Sequence, residues 1–138
     1  MSVQLRLKKL RAEMANKELD AFLVSSSENI EYLSGFTGTA GYLLISQQEA
    51  FLATDFRYVE QAARQAPEFR VCRTDHNNWL TTLVGEISPR RLGFEGQRLT
   101  VMQYMKFKDA IHASGSAIQP DLVATSGLVE SLRAVKEP

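Results

Sequence analysis

Apolar and polar positions recur along this chain with two different periods, and the switches between them mark out its elements. Val3, Leu7, Leu10 and Met14 fall at i, i+4, i+7 and i+11, with Arg6, Lys9 and Glu13 between them. That is the stripe of a surface helix with one face on a core, and it predicts a helix over about residues 2–17. Ala21–Val24 is a short unbroken apolar run bounded by polar residues, the pattern of a strand covered on both faces. Ser25, with Glu28 three positions on, predicts a capping box for a short helix through Ile30 and Leu33, which Gly35 closes in a left-handed conformation. Residues 42–45 and Ala50–Thr54 are two more apolar runs joined by the polar residues 46–49, and they predict an antiparallel hairpin.

The second half continues the alternation. Tyr58, Ala62 and Ala66 begin an amphipathic helix that Pro67 ends, and residues 69–73 follow as a strand. Asn77 or Asn78 caps a helix carrying Trp79, Leu80, Leu83, Val84 and Ile87. Gly85 costs that helix ~1 kcal/mol relative to Ala. Residues 91–94 read as a strand, Thr100 with Gln103 as a second capping box, and Tyr104, Phe107 and Ile111 as the apolar face of the helix it opens. A last strand is expected at residues 117–119, before Pro120, followed by a helical stripe of Leu128, Leu132 and Val135 that stops abruptly at Lys136-Glu137-Pro138. The fold class is therefore α/β, with a mixed sheet of six strands and flanking helices, because the hairpin forces at least one antiparallel neighbour.

Composition narrows the function. The 138 residues, 44% apolar and 23% charged, suit one ordinary domain. Sixteen basic residues balance sixteen acidic ones, so no summed field favours nucleic acid or an acidic membrane, and neither is expected as a partner. The same zero removes long-range repulsion and favours association. The single cysteine, Cys72, excludes an internal disulfide, reads as a buried small hydrophobe and fits a reducing compartment. No apolar stretch has the length of a signal peptide at the N-terminus or of a membrane helix anywhere, so the expected location is cytoplasmic and off the membrane.

Candidate chemistry is sparse. The two histidines, His76 and His112, lie on different elements with no second ligand at helical spacing. They read as a cap or solvated group and as a partner of a helix dipole. No serine sits in a nucleophile elbow. Gly35, Gly38 and Gly41 follow a helix and precede a strand, the reverse of a phosphate loop, but they permit a loop rimmed by Phe36, Thr37 and Thr39 that could overhang a pocket. Asp55, Arg57 and Tyr58 place a carboxylate, a guanidinium and an aromatic ring where a strand gives way to a helix. They read either as a cap, a solvated cation and a packing ring, or as a recognition edge with Arg57 facing a carboxylate and Asp55 holding an amine or that arginine.

Residues 29–38 (Asn-Ile-Glu-Tyr-Leu-Ser-Gly-Phe-Thr-Gly), residues 42–45, Thr54-Asp55-Phe56-Arg57-Tyr58 and the helix of residues 128–136 stand in an order and at distances that resemble the N-terminal domain of the creatinase, prolidase and aminopeptidase P family of metallopeptidases. The resemblance covers essentially residues 1–138 and implies the same mixed six-stranded fold, with a ribonuclease H-like motif. It implies residues 122–138 as the helix leading to a C-terminal catalytic domain missing from this chain. That domain would hold two divalent metal ions, manganese in most relatives, and cleave the bond before proline in short peptides. This chain alone is then expected to be inactive and to hold no metal.

Carried over by motif, the resemblance puts Phe36, Thr37, Gly38 and Thr39 on the loop nearest the pocket and Asp55, Arg57 and Tyr58 on a second substrate-rim or partner-facing edge. It implies a homo-oligomer, dimer or tetramer, and a role in substrate-size selection. The neutral loop of residues 37–41 departs from the charged and histidine-bearing loop of dipeptide-specific members, which moves the expectation toward an aminopeptidase P-like range. Alternatives within the same resemblance are a peptide-binding module from a catalytically degenerate relative and a creatinase-like hydrolase of other C–N bonds.

Overall fold

A computed structural model describes residues 2–75, 78–115 and 118–135. Its strands are β1 (Ala21–Val24), β2 (Tyr42–Ser46), β3 (Ala50–Thr54), β4 (Arg70–Arg73), β5 (Arg91–Glu95) and β6 (Asp121–Thr125). Its helices are α1 (Val3–Asn16), α2 (Ser27–Ser34), α3 (Val59–Gln65), α4 (Trp79–Ile87), α5 (Val101–His112) and α6 (Leu128–Ala134). One sheet has the order β4-β3-β2-β1-β5-β6. β2 runs antiparallel to both β1 and β3, and the remaining neighbours pair in parallel. Because β2 alone is reversed, the C-terminal ends of the other five strands and the start of β2 share one end of the sheet. That is where open α/β sheets gather their ligands.

Alternate residues of each central strand face opposite layers. Phe22, Val24, Leu43, Ile45 and Leu52 pack under α1, α2, α3 and α6, against Leu10, Met14, Leu33, Ala62 and Val129 among others. Ala21, Leu23, Leu44 and Phe51 face the other way, against Leu80, Leu83, Val84 and Ile111 of α4 and α5. Both faces are covered, so the strands read as continuous apolar runs, and each buried Leu or Phe contributes about 1.5–3 kcal/mol. Gly85 has its reason here: a Cβ on it would stand 3.3 Å from the Ser114 carbonyl, where α4 closes on the end of α5.

Three expectations shift. The last strand lies after Pro120, at Asp121–Thr125, and pairs in register with β5. As an edge strand with only Leu122 and Val123 half-buried toward the two cores, it carries little apolar signal, and Pro120 ahead of it forfeits no ladder hydrogen bond. Residues 122–125 are therefore strand, and the terminal helix begins at Leu128; Ala117 and residues 136–138 lie outside the described residues. The first capping box, expected from Ser25 and Glu28, does not form. Ser26 occupies the N-cap of α2 and its hydroxyl donates to Glu28 Oε2 at 2.8 Å, while the backbone N–H groups of both Ser25 and Ser26 are taken by Glu95. Asn78, the N-cap of α4, makes no side-chain capping bond, and Asn77 lies outside the described residues. The box of Thr100 and Gln103 forms in full.

Candidate functional site

The loop between α2 and β2 is built around a buried ring. Gly35 ends α2 at φ +87°, and its N–H donates to the Glu31 carbonyl. Phe36 then turns inward until 1% of it is exposed, edge-on to Tyr58 with ring centres 6.1 Å apart. The expected rim residue is thus the loop's anchor, because the space between α2, α3 and β2 belongs to the core under α1. Gly38 follows from that placement, since a Cβ there would overlap the Phe36 ring at 2.2 Å.

What remains at the surface is the ridge Thr37-Gly38-Thr39, fastened at both ends. The Thr37 N–H donates to Gln65 Oε1 at 3.0 Å, and the Thr37 hydroxyl accepts from the amides of Gln61 and Gln65 on α3. Thr39 Oγ1 and Tyr58 Oη are 2.7 Å apart, and the Thr54 hydroxyl donates to the Ala40 carbonyl at 2.5 Å.

Asp55 does two of the things the sequence allowed. It is the N-cap of a single 3₁₀ turn, Phe56–Tyr58, accepting from the Arg57 N–H at 2.9 Å. It also grips the Arg57 side chain, with Nε on Oδ1 at 3.0 Å and Nη2 on Oδ2 at 2.7 Å. Hydrogen bonds from Arg57 hold the Asp55 carboxyl below its ordinary value and push the guanidinium above its own. Arg57 remains 60% exposed and lies over the Tyr58 ring, 5.2 Å from its centre. Of its five N–H groups, those on the Nη1 edge stay free to donate outward.

The ridge separates two hollows. On one side, a groove of about 340 Å³ is bordered by Glu28 and Glu31; the hydrogen bond from Ser26 holds the Glu28 carboxyl below its ordinary value. On the other, a cleft of about 710 Å³ runs between the start of β2 and helices α4 and α5. In it Trp79 stacks on Tyr42 at 5.6 Å and Phe107 meets the same ring edge-on at 5.2 Å. Burial raises the Tyr42 phenol above its ordinary value.

Sequence reasoning missed this cleft and also the buried network behind it. Glu95, 5% exposed at the end of β5, accepts from the N–H groups of Ser25 and Ser26 and from Asn29 Nδ2. Asn29 accepts in turn from Arg133 at 2.6 Å and donates to Glu130 at 3.1 Å. An acidic residue ending an apolar strand was the one available sign. Cys72 behaves as a packing residue: half-buried, its thiol directed at the Leu52 carbonyl, its pKa pushed up by burial to about 11, far from the thiolate a reactive site needs. His112 is the exposed last residue of α5, and His76 lies outside the described residues.

The creatinase/prolidase N-terminal domain family matches residues 6–135. A Bacillus subtilis protein described as an uncharacterised peptidase, YqhT, is 34% identical over 134 residues, which are 96% of this chain and 36% of that protein. The Xaa-Pro dipeptidase from Bacillus anthracis shares the fold with a TM-score of 0.86 and 34% identity, over 99% of this chain and 37% of its own. The N-terminal domain of the cytoplasmic peptidase PepQ from Mycobacterium tuberculosis does so with a TM-score of 0.83 and 40% identity, over 94% of this chain and 98% of its own. The chain thus spans little more than a third of the two longer relatives and nearly all of a neighbour that is itself an N-terminal domain. With the family matching almost from end to end and the fold shared, this chain belongs to the creatinase/prolidase N-terminal domain family.

Proposed function

We propose that the chain is the non-catalytic N-terminal domain of a Xaa-Pro dipeptidase or aminopeptidase P-like metallopeptidase, and that its ridge and Arg57 select short proline-containing peptides. The observation that carries this reading is the convergence of Thr37, Gly38 and Thr39 with the Asp55–Arg57 fork at one end of the sheet. Hydrolysis belongs to a C-terminal catalytic domain beyond α6, where two divalent metal ions, manganese in this reading, supply the Lewis acid and the nucleophilic water. The residues present here do not fit those ions: among the described residues no group of three or more His, Cys, Asp or Glu is placed to hold one.

The chain's own contribution is position and exclusion. Asp55 fixes Arg57, so less side-chain freedom is lost when the Nη1 edge donates to a substrate carboxylate. The ridge is neutral and tied to α3, so it confronts a longer peptide with a wall while offering no charge that demands a dipeptide. A homo-oligomer in which one subunit's ridge overhangs the other's catalytic centre completes the arrangement. A cytoplasmic location belongs to the same reading, supported by the description of the Mycobacterium tuberculosis neighbour and the single cysteine.

The test is Arg57→Ala in the full-length enzyme. The specificity constant for Xaa-Pro dipeptides should fall about tenfold or more, as expected for a lost charged hydrogen bond, and the loss should shrink for substrates with an amidated C-terminus. Unchanged kinetics would remove Arg57 from the site. The 138-residue chain with added manganese should hydrolyse nothing, and clear activity would overturn the assignment of catalysis to another domain.

A further inference from the structure

The cleft beside the ridge has chemistry of its own. Its walls are the stacked Tyr42 and Trp79 and the edge-on Phe107, all half-buried, so that part of each ring still faces the opening. Along α5, Gln103, Lys106, Phe107 and Ala110 recur at i, i+3, i+4 and i+7 and present one face to it. Lys106 is exposed and makes no ion pair with a described residue, whereas Arg98 at the mouth stands 3.6 Å from Glu130. No Asp or Glu lines the cleft among the described residues. At its floor Ser25 Oγ is buried with no hydrogen-bond partner among them, and buried hydroxyls are normally paired.

One unpaired ammonium beside an aromatic box suits a monoanion with an apolar body. It suits a phosphate or a polyanion less, because those call for several unpaired cations. Of the two helix starts at the cleft, that of α5 is closed by its own capping box, while that of α4, at Trp79, has no side-chain cap.

We propose that this cleft binds the free C-terminus of a short peptide whose last residue is aromatic or apolar. The terminal carboxylate rests on Lys106, and the terminal side chain lies against Tyr42, Trp79 and Phe107. The site is complete within this chain and does not depend on the peptidase reading, which concerns the ridge and Arg57.

Trp79 is the only tryptophan, so its emission reports on the cleft directly. Titrating the 138-residue chain with the tripeptide Gly-Gly-Phe should give a saturable change in Trp79 fluorescence in the millimolar range. The C-terminal amide of the same peptide should bind roughly fivefold more weakly, as the loss of one exposed ion pair implies. Lys106→Gln should bring the acid down to the amide's affinity. Lys108→Gln, an exposed position on the same helix outside the cleft, should leave the acid's affinity unchanged. No saturable change, equal affinity for acid and amide, or an unaltered response in Lys106→Gln would each overturn the proposal. None of these readouts involves hydrolysis, so failure here and failure of the peptidase reading are separate results.

Discussion

Glu95 ties β5 to the turn that opens α2 at the ridge end of the sheet. A carboxylate that is 5% exposed must be compensated, and Glu95 is: it accepts from Ser25 N at 2.7 Å, Ser26 N at 2.8 Å and Asn29 Nδ2 at 2.5 Å. Glu95→Ala leaves the N–H groups of Ser25 and Ser26 without an acceptor and takes one of two from Asn29 Nδ2, so it should lower stability by about 3 kcal/mol. Glu95→Gln keeps the volume but turns a donor toward Asn29 Nδ2, and should cost about half as much. Urea unfolding followed by circular dichroism measures both; a loss below about 0.5 kcal/mol for the alanine variant would show the network to be dispensable. Reach along the chain explains what was readable at this scale. Asp55 bonds two residues ahead, so its cap could be anticipated from spacing. Glu95 meets partners 66 to 70 residues away, and no local pattern encodes them. The burial of Phe36 was not legible for the same reason: its place beside Tyr58 depends on contacts between segments far apart in the chain.

Among the elements, α6 is held to the rest by apolar contacts and charge together. Leu128 and Val129 are buried, and Arg133 and Glu130 both bond Asn29. Partial burial pushes the Glu130 carboxyl up, but its own backbone N–H, the Asn29 amide and the charges of Arg98 and Arg133 outweigh that and hold it below its ordinary value. A carboxylate depressed in the folded state adds stability that is fully present above its unfolded pKa and is lost as pH falls through the folded one. The hold on α6 should therefore weaken between about pH 5 and pH 3. Hydrogen-exchange protection factors at pH 6 and pH 3.5 would show it: residues 128–134 should lose protection ahead of β1 and β2, and a parallel loss in all three would assign the docking of α6 to its apolar face alone. Elements whose signals are local were readable, as with the Thr100 and Gln103 box, the hairpin and the glycine stop of α2. β6 was not, because an edge strand with two half-buried apolar residues carries almost no apolar alternation.

Across the whole molecule the two ends of the sheet have different work. At the end away from the ridge, Arg11 donates to the carbonyls of Ser46 and Glu49 at 2.7 and 3.0 Å, and Asp20 accepts from the N–H groups of Arg90 and Arg91. These bonds close the β2–β3 turn and the start of β5 and touch neither hollow. At the other end, among the described residues the Arg57 side chain hydrogen-bonds only to Asp55, two residues before it, an exposed pair of little weight in stability. Substitutions at the two ends should then separate cleanly. Arg11→Ala should lower stability by about 1–2 kcal/mol through two lost hydrogen bonds to carbonyls, and leave both the peptide kinetics of the full-length enzyme and the Trp79 titration as they were. Arg57→Ala should leave the urea midpoint within error and change the kinetics. Kinetic loss in Arg11→Ala at temperatures where it is fully folded would mean that the sheet transmits strain from end to end, and that selection of substrate is a property of the whole domain and not of its ridge.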